Sequence, residues 1–248
     1  MTIPASVGSI DGSAFSGCTG LTRFTVEAGN SSYASVEGVL FNKSRTTLLQ
    51  YPSGKVGTGY IIPDSVTSIG YQAFYECTGL TSVNIPHGVT SIGYRAFFGC
   101  TGLTSLTIPD SVTYIVGATF YGCTGLTRVY FEGNAPGLED FLFNGAFATV
   151  YYLQGTQGWG TMFGGRPTVA WSARIVTDDG QFGLPAGRLG FTLAGVAGAT
   201  VVVEACADLG QPIWAPVSTN TFSPQGKAQF VDPALAERPG RFYRVRVP

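Results

Sequence analysis

A unit of 23 residues recurs along this chain. Residues 62–84 read IPDSVTSIGYQAFYECTGLTSVN, 85–107 read IPHGVTSIGYRAFFGCTGLTSLT and 108–130 read IPDSVTYIVGATFYGCTGLTRVY. An earlier copy at 3–25 reads IPASVGSIDGSAFSGCTGLTRFT. The copies starting at 62 and 85 agree at 16 of 23 positions. A fixed period of this length marks one supersecondary unit that cannot bury its apolar side alone and must stack on its neighbours. The period therefore predicts a repeat solenoid.

Within 62–84, Leu80, Val83 and Ile85 follow the L-x-x-L-x-L spacing of a short strand with its apolar side inward. Gly79 turns into that strand, and Pro86 ends it by removing a ladder donor. Val66 and Ile69 mark a second short extended piece. Residues 71–77 read as about two helical turns with Ala73, Phe74 and Cys77 inward and Gln72 exposed. Stacking puts like on like. It predicts one buried column of Phe15, Phe74, Phe97 and Phe120, and another of Ile10, Ile69, Ile92 and Ile115.

The repeat ends before the chain does. Its pattern breaks near Trp171, and 248 residues leave room for a second domain. The 35 glycines and 12% charged residues suit tight turns between short strands. Residues 1–171 carry 7 basic and 9 acidic side chains, and 172–248 carry 7 and 6. Neither part has the basic surplus that condenses onto a polyphosphate backbone, which argues against nucleic acid as a partner. Arg238, Arg241, Arg244 and Arg246 cluster at the C-terminus, where the alternation of RFYRVRV makes them the wet face of an edge strand rather than an anion patch. No run of about 18 apolar residues exists for a membrane span. Met1-Thr2 leads straight into the opening Ile3-Pro4 of a repeat, so the expectation is a truncated piece of a longer chain whose signal peptide and first coils are missing.

The pattern I-P-x-x-V-x-x-I-x-x-x-A-F-x-x-C-x-x-L over residues 3–130 resembles the BspA-type leucine-rich repeats of bacterial surface and secreted proteins. That resemblance implies a curved solenoid with parallel strands on the concave face and short helices on the convex face. It also implies protein binding and adhesion rather than catalysis. Residues 26–61 depart from the period but are similar to a variant of that family: a hairpin in place of the helix, with runs around residues 38–41 and 47–51 joined by the polar turn Asn42-Lys43-Ser44-Arg45. Residues 131–171 resemble the family's closing segment. The resulting division is a solenoid at 1–171, a linker at 172–179 and a second domain at 180–248. In the last, strands expected at 188–193, 199–205, 214–217, 228–231 and 242–247 suggest a small all-β antiparallel sandwich. The segments VVVEACADLGQPIWAPV and FVDPALAERPGRFYRVRV resemble a C-terminal immunoglobulin-like module of bacterial secreted proteins.

No catalytic constellation appears. His87, the only histidine, replaces Asp64 and Asp110 at a solvated turn, whereas a Ser/His/Asp or Cys/His device needs a partnered histidine in a pocket. Cys18, Cys77, Cys100 and Cys123 share one repeat position, which arranges them in a line rather than at tetrahedral corners; they read as buried free thiols, not zinc ligands. Cys206 reads as core. Glu139-Asp140 and Asp178-Asp179 read as polar turns, since no apolar wall flanks either pair to raise a pKa. Asn30-Ser31-Ser32 and Asn42-Lys43-Ser44 form glycosylation sequons that carry meaning only in a secreted eukaryotic chain. The expectation is a chain that is not an enzyme and holds no cofactor or metal.

Two surfaces remain as candidate partner sites. On the strand face the outward positions are Arg23, Thr25 and Glu27, then Ser82 and Asn84, Ser105 and Thr107, and finally Arg128, Tyr130 and Glu132. On the opposite face Tyr75, Phe98 and Tyr121 form an aromatic column, joined by Tyr71 and Tyr94. Such rings anchor a partner or stack on sugars, or simply shield one another. The function expected is a secreted or cell-surface interaction module that binds an extracellular protein; the alternative is a carbohydrate-binding accessory module for a polysaccharide.

Overall fold

The computed structural model describes residues 1–176, 189–196, 198–210, 212–232 and 241–246. The chain forms two compact units, Met1–Ala170 and Trp171–Pro248. The first is a solenoid of about seven turns. Its strands begin with β1 (Thr2–Ile3), β2 (Thr25–Val26), β3 (Tyr33–Val36), β4 (Val39–Asn42), β5 (Thr47–Gln50) and β6 (Gly59–Ile61). They continue with β7 (Ser68–Ile69), β8 (Ser82–Asn84), β9 (Ser91–Ile92), β10 (Ser105–Ile108) and β11 (Tyr114–Ile115). The closing segment adds β12 (Arg128–Phe131), β13 (Gly137–Leu138), β14 (Thr149–Leu153), β15 (Met162–Phe163) and β16 (Arg166–Trp171).

Each full coil contributes one strand to each of two faces. One face carries the sheet β10-β12-β14-β16-β15 and the separate pairs β6-β8 and β1-β2; the other carries β13-β11-β9-β7-β5-β4-β3. Parallel neighbours pair residues 23 apart, as in Gly59 with Ser82, Ser68 with Ser91 and Ser105 with Arg128. The spacing shortens in the closing segment, where Arg128 pairs with Thr149. Leu80, Val83 and Ile85 are buried as their spacing predicts, and Ile69, Ile92 and Ile115 form one in-register buried column.

Residues 71–77 are not helical, and among the described residues no helix forms at all. Ala73, Phe74 and Cys77 are buried as expected, but in a run of consecutive turns. Alternate amides serve two ladders. Tyr75 and Cys77 donate back to Gln72 and Phe74 within the coil, while Gln72, Phe74 and Glu76 donate across to the carbonyls of Tyr94, Ala96 and Phe98 in the next. Phe97 likewise donates to Thr119, and Phe120 to Leu142. An α-helix is about 10 Å wide and keeps its bonds to itself, whereas coils tied by β pairing repeat at about 4.8 Å. The turn run fits that repeat. Its cost is backbone at positive φ at Gln72 (51°), Glu76 (51°) and Arg95 (53°), relieved at the second such site of the following coil by Gly99 (68°).

The aromatic column begins one coil later than the repeat predicts. Phe74, Phe97, Phe120 and Phe143 stack with centroids 4.9, 5.8 and 5.3 Å apart. Below Phe74 lies Tyr51 at 5.4 Å, and Phe15 instead meets Phe24 edge-on at 4.8 Å. The cause is the insertion. β4 and β5 form the hairpin expected around Asn42-Lys43-Ser44-Arg45, but it joins the second face of the solenoid rather than replacing a turn run, with Leu48 opposite Ile69. A further hairpin joins β3 to β4 through Glu37 and Gly38, both at positive φ, as a two-residue I′ turn requires. The β4–β5 wall separates two interiors. Val39, Phe41 and Leu48 face the main core, while Leu40 and Leu49 face a small cluster built on Ile3, Phe24 and Tyr33, with Ile10 and Phe15 half-buried against it. Alternation along a strand makes this division possible.

In the second unit, β17 (Arg174–Val176), β18 (Gly190–Ala194), β19 (Thr200–Cys206), β20 (Ala215–Thr221), β21 (Lys227–Val231) and β22 (Phe242–Arg246) form two antiparallel three-stranded sheets. Their orders are β17-β18-β21 and β20-β19-β22. Phe191 and Phe230 of the first sheet each meet the ring of Tyr243 in the second at 5.8 Å. Buried Asp232 accepts bonds from Arg241 and Tyr243, and Glu204 accepts 2.7 Å bonds from Arg244 and Arg246. Arg244 and Arg246 are thus paired on the half-exposed face of edge strand β22, whereas Arg241 precedes that strand and, instead of joining the wet face, reaches in to buried Asp232. Arg238 lies outside the described residues, as do Arg188, Val247, the Asp178-Asp179 pair and residues 177–179 of the expected linker.

Candidate interaction surfaces

On the strand face, alternate side chains of β8, β10 and β12 point away from the core. Asn84 and Thr107 are exposed, and Thr107 stands beside Tyr130 in register. Arg128 stands between Ser105 and Thr149. Arg23 and Thr25 are exposed but do not join this row, because β2 pairs only with β1 among the described strands and Phe24 gives its amide to Gly38 of the hairpin turn.

Two residues expected to be exposed on this face are covered. Tyr130 is 3% exposed, its ring stacked on that of Tyr151 at 5.1 Å, and burial pushes its hydroxyl up to about 12. Glu132 is also buried. It follows Phe131 as Pro109 follows Ile108 and Pro86 follows Ile85, and both prolines are buried; the carboxylate therefore occupies the covered proline slot of the repeat. Its Oε2 lies 3.9 Å from His87 Nδ1, which is 3.3 Å from Asp110. The imidazole remains more than half exposed at its turn, so the three groups frame no enclosed space.

One residue was missed. Ile61, paired in register with Asn84, is 74% exposed on the same face. Sequence carries the signal: Gly59-Tyr60-Ile61-Ile62 aligns with Ser82-Val83-Asn84-Ile85, which puts an apolar residue where the repeat places a polar one.

On the turn face Tyr75, Phe98 and Tyr121 stack almost parallel, with centroids 4.9 and 5.1 Å apart and interplanar angles of 4° and 5°. Tyr71 and Tyr94 stack at 5.6 Å, and the guanidinium of Arg95 lies 5.0 Å from Tyr94 and 5.2 Å from Phe98. The rings therefore spend their flat faces on one another and turn their edges outward. Gln72, expected to be exposed on this side, is only 4% exposed and accepts a bond from Ser16. The positive φ at that residue aims its side chain toward the first coil.

The repeat model described as BspA type leucine rich repeat region matches residues 1–60 and 56–154, in six copies. The chain belongs to this family. Among solved structures, a leucine-rich repeat protein from Eubacterium ventriosum superposes with a TM-score of 0.56 at 29% identity, over 62% of this chain and 42% of that one. A leucine rich cell surface protein from Faecalibacterium prausnitzii gives 0.47 at 25% identity, over 61% and 47%. The pneumococcal vaccine antigen PcpA gives 0.48 at 25% identity, over 61% and 44%. The chain spans less than half the length of these structures. No curated protein sequence matches it.

The motif cysteines of the BspA-type repeat are part of the core. Cys77, Cys100 and Cys123 are buried, and the Sγ atoms of Cys100 and Cys123 lie 3.0 and 2.9 Å from the carbonyls of Phe74 and Phe97. Burial pushes Cys77 and Cys123 up to about 12 and Cys100 well above its ordinary value. Cys18, expected in this column, is exposed because the first coil lies across the hairpin wall from the main core. Among the described residues no group of three His, Cys, Asp or Glu is placed to hold a metal ion.

Proposed function

We propose that this chain is a non-catalytic, protein-binding module displayed outside a bacterial cell, and that it binds through the strand face. The observation that carries this reading is the set of outward strand positions Ser82 and Asn84, the latter in register with exposed Ile61, and Ser105 and Thr107 of the neighbouring coil. Short polar side chains on a rigid sheet leave a flat surface on which a folded partner's larger anchors settle. Resemblance to BspA-type repeats of surface and secreted proteins supports the location. The C-terminal unit serves as a spacer, and the rings shared by its two sheets support an immunoglobulin-like sandwich.

Polysaccharide binding is the weaker reading, because a sugar stacks on ring faces and the aromatic column offers edges. The test presents immobilised protein with solubilised surface proteins and, separately, a glycan array. Capture that falls about tenfold in Asn84→Glu/Thr107→Glu supports the reading. Capture unchanged by that variant, or glycan binding lost in Phe98→Ala, overturns it.

A further inference from the structure

The strand face holds a place for one strand that no segment fills. β12 gives one edge to the coil before it and the other to the coil after it, through β10 and β14, while β8 and β10 lie side by side at the ends of two separate sheets. β6 has only β8. Thr58 receives the amides of Thr81 and Ser82, and Ile62 donates to Asn84, so residues 58, 60 and 62 turn toward β8. Gly59 and Ile61 then direct their N–H and C=O groups to the other side, since alternate residues of a strand face opposite neighbours. None of these four groups has a partner among the described residues.

The neighbour that the repeat would place there is β2 of the first coil, and the β3–β4 turn has displaced it. Phe24 donates to Gly38, Val26 donates to Ser35, and Lys55 Nζ reaches the carbonyl of Glu37 at 2.6 Å. Between the turn and the β6 edge lies a groove of about 480 Å³, walled by Val36, Glu37, Lys55, Ile61 and Pro63. Its walls mix apolar Val36, Ile61 and Pro63 with Glu37 and Lys55, whose ammonium group is already engaged.

We propose that β6 is a β-augmentation site, occupied by an extended, unstructured segment of a partner protein. This rests on the protein-binding reading above and names where and how that binding occurs. A repeating donor–acceptor edge is matched by another main chain and by little else, so the ligand is recognised by its backbone, over about the three residues of β6. The pocket beside Ile61 and Val36 adds a preference for an apolar side chain at one position of the segment. A folded partner that lacks a free strand cannot use this edge.

The probe is a phage-displayed library of unstructured peptides selected on the intact chain, with the selected peptides then synthesised. Two perturbations remove edge donors while leaving side chains or fold in place. Ile61→Pro deletes an amide that points to the groove and takes no part in the β6–β8 ladder, where proline is tolerated. N-methylation at alternate residues of the peptide deletes the complementary donors on the protein as it stands. Each is expected to weaken binding about tenfold, the loss that follows from one or two hydrogen bonds. Ile61→Thr, which keeps the amide, should cost less than Ile61→Pro. If Ile61→Pro proves poorly folded in a thermal melt, the N-methyl series decides alone. Selection that yields no peptide, or peptides that tolerate N-methylation, overturns the proposal. A captured protein lost in Asn84→Glu/Thr107→Glu but retained by Ile61→Pro would leave the general function standing and remove this site.

Discussion

The glycine of the Cys-Thr-Gly-Leu motif recurs at the same repeat position, yet its surroundings differ from coil to coil. A β-carbon at Gly102 would lie 2.4 Å from the carbonyl oxygen of Thr78 and 3.1 Å from that of Leu80, and one at Gly125 would lie 2.2 Å from Thr101 O. At Gly79 nothing lies within 4 Å, because the coil below carries residues 52–57 of the insertion in place of the motif. None of the three requires positive φ. Alanine at Gly79 therefore fits, and by stiffening the unfolded chain it should stabilise by about 0.4–1 kcal/mol. The same gain applies at Gly102, but the new methyl overlaps a backbone oxygen by about 1 Å. Relief requires moving a coil that the Phe74–Ala96 and Glu76–Phe98 bonds hold at ladder spacing, and overpacking of this kind costs about 1–3 kcal/mol. The net change at Gly102 is therefore between about zero and a loss of about 2.6 kcal/mol, and because the gain is common to both sites the two variants should differ by about 1–3 kcal/mol. For a unit of this size that is a gap of about 2–12 °C in melting temperature. Thermal melts followed by circular dichroism measure it, with urea titrations to check an unchanged slope. Shifts of the same sign in both variants, or a Gly102→Ala protein that melts above the parent, would refute the reasoning.

Phe97→Ala should cost about 3–5 kcal/mol, since its ring is fully buried between Phe74 and Phe120; exposed Thr104→Ala should stay within about 0.5 kcal/mol in the same urea titration. Native protein treated with iodoacetamide near pH 8 should be modified at Cys18 and spared at Cys77, Cys100 and Cys123, as read by mass spectrometry. Cys77 and Cys123 keep protons that an unfolded chain releases above 9.0, so their contribution is intact below that pH and fades between 9 and about 12, with Cys100 shifted in the same direction. Cys77→Ala/Cys123→Ala should flatten that alkaline decline. In the second unit, Asp232→Ala strands Arg241 and Tyr243 and should cost about 3–5 kcal/mol, measured by calorimetry.

Much of the solenoid is written in its period, because a core built from identical positions is fixed by the copy count: Phe74, Phe97 and Phe120 align as the repeat requires. What escaped was set by main-chain bonds between coils. The inward set Ala73, Phe74 and Cys77 suits a helix and a turn run equally, and only the 4.8 Å coil spacing chooses between them. The first coil failed for a different reason. Phe15 and Cys18 sit in a recognisable copy, yet the hairpin at 33–50 stands between that copy and the rest. On the surface, Asn84 and Thr107 followed from strand alternation, whereas Tyr130 is covered by Tyr151 of the closing segment, and Glu132 was legible only by aligning it with the buried Pro86 and Pro109. Ile61 was legible by alignment of the insertion with the full copies.

The turn runs all give their cross-coil amides in one direction, from each coil to the one that follows it. Such a stack has a head and a tail, and a new copy can join only in the same orientation. Tandem duplication of the coding segment delivers copies in that orientation without exception. A lineage carrying this protein can therefore lengthen or shorten it by whole 23-residue increments while every inherited contact finds its counterpart, and binding surface becomes a quantity that evolution adjusts by recombination rather than by redesign.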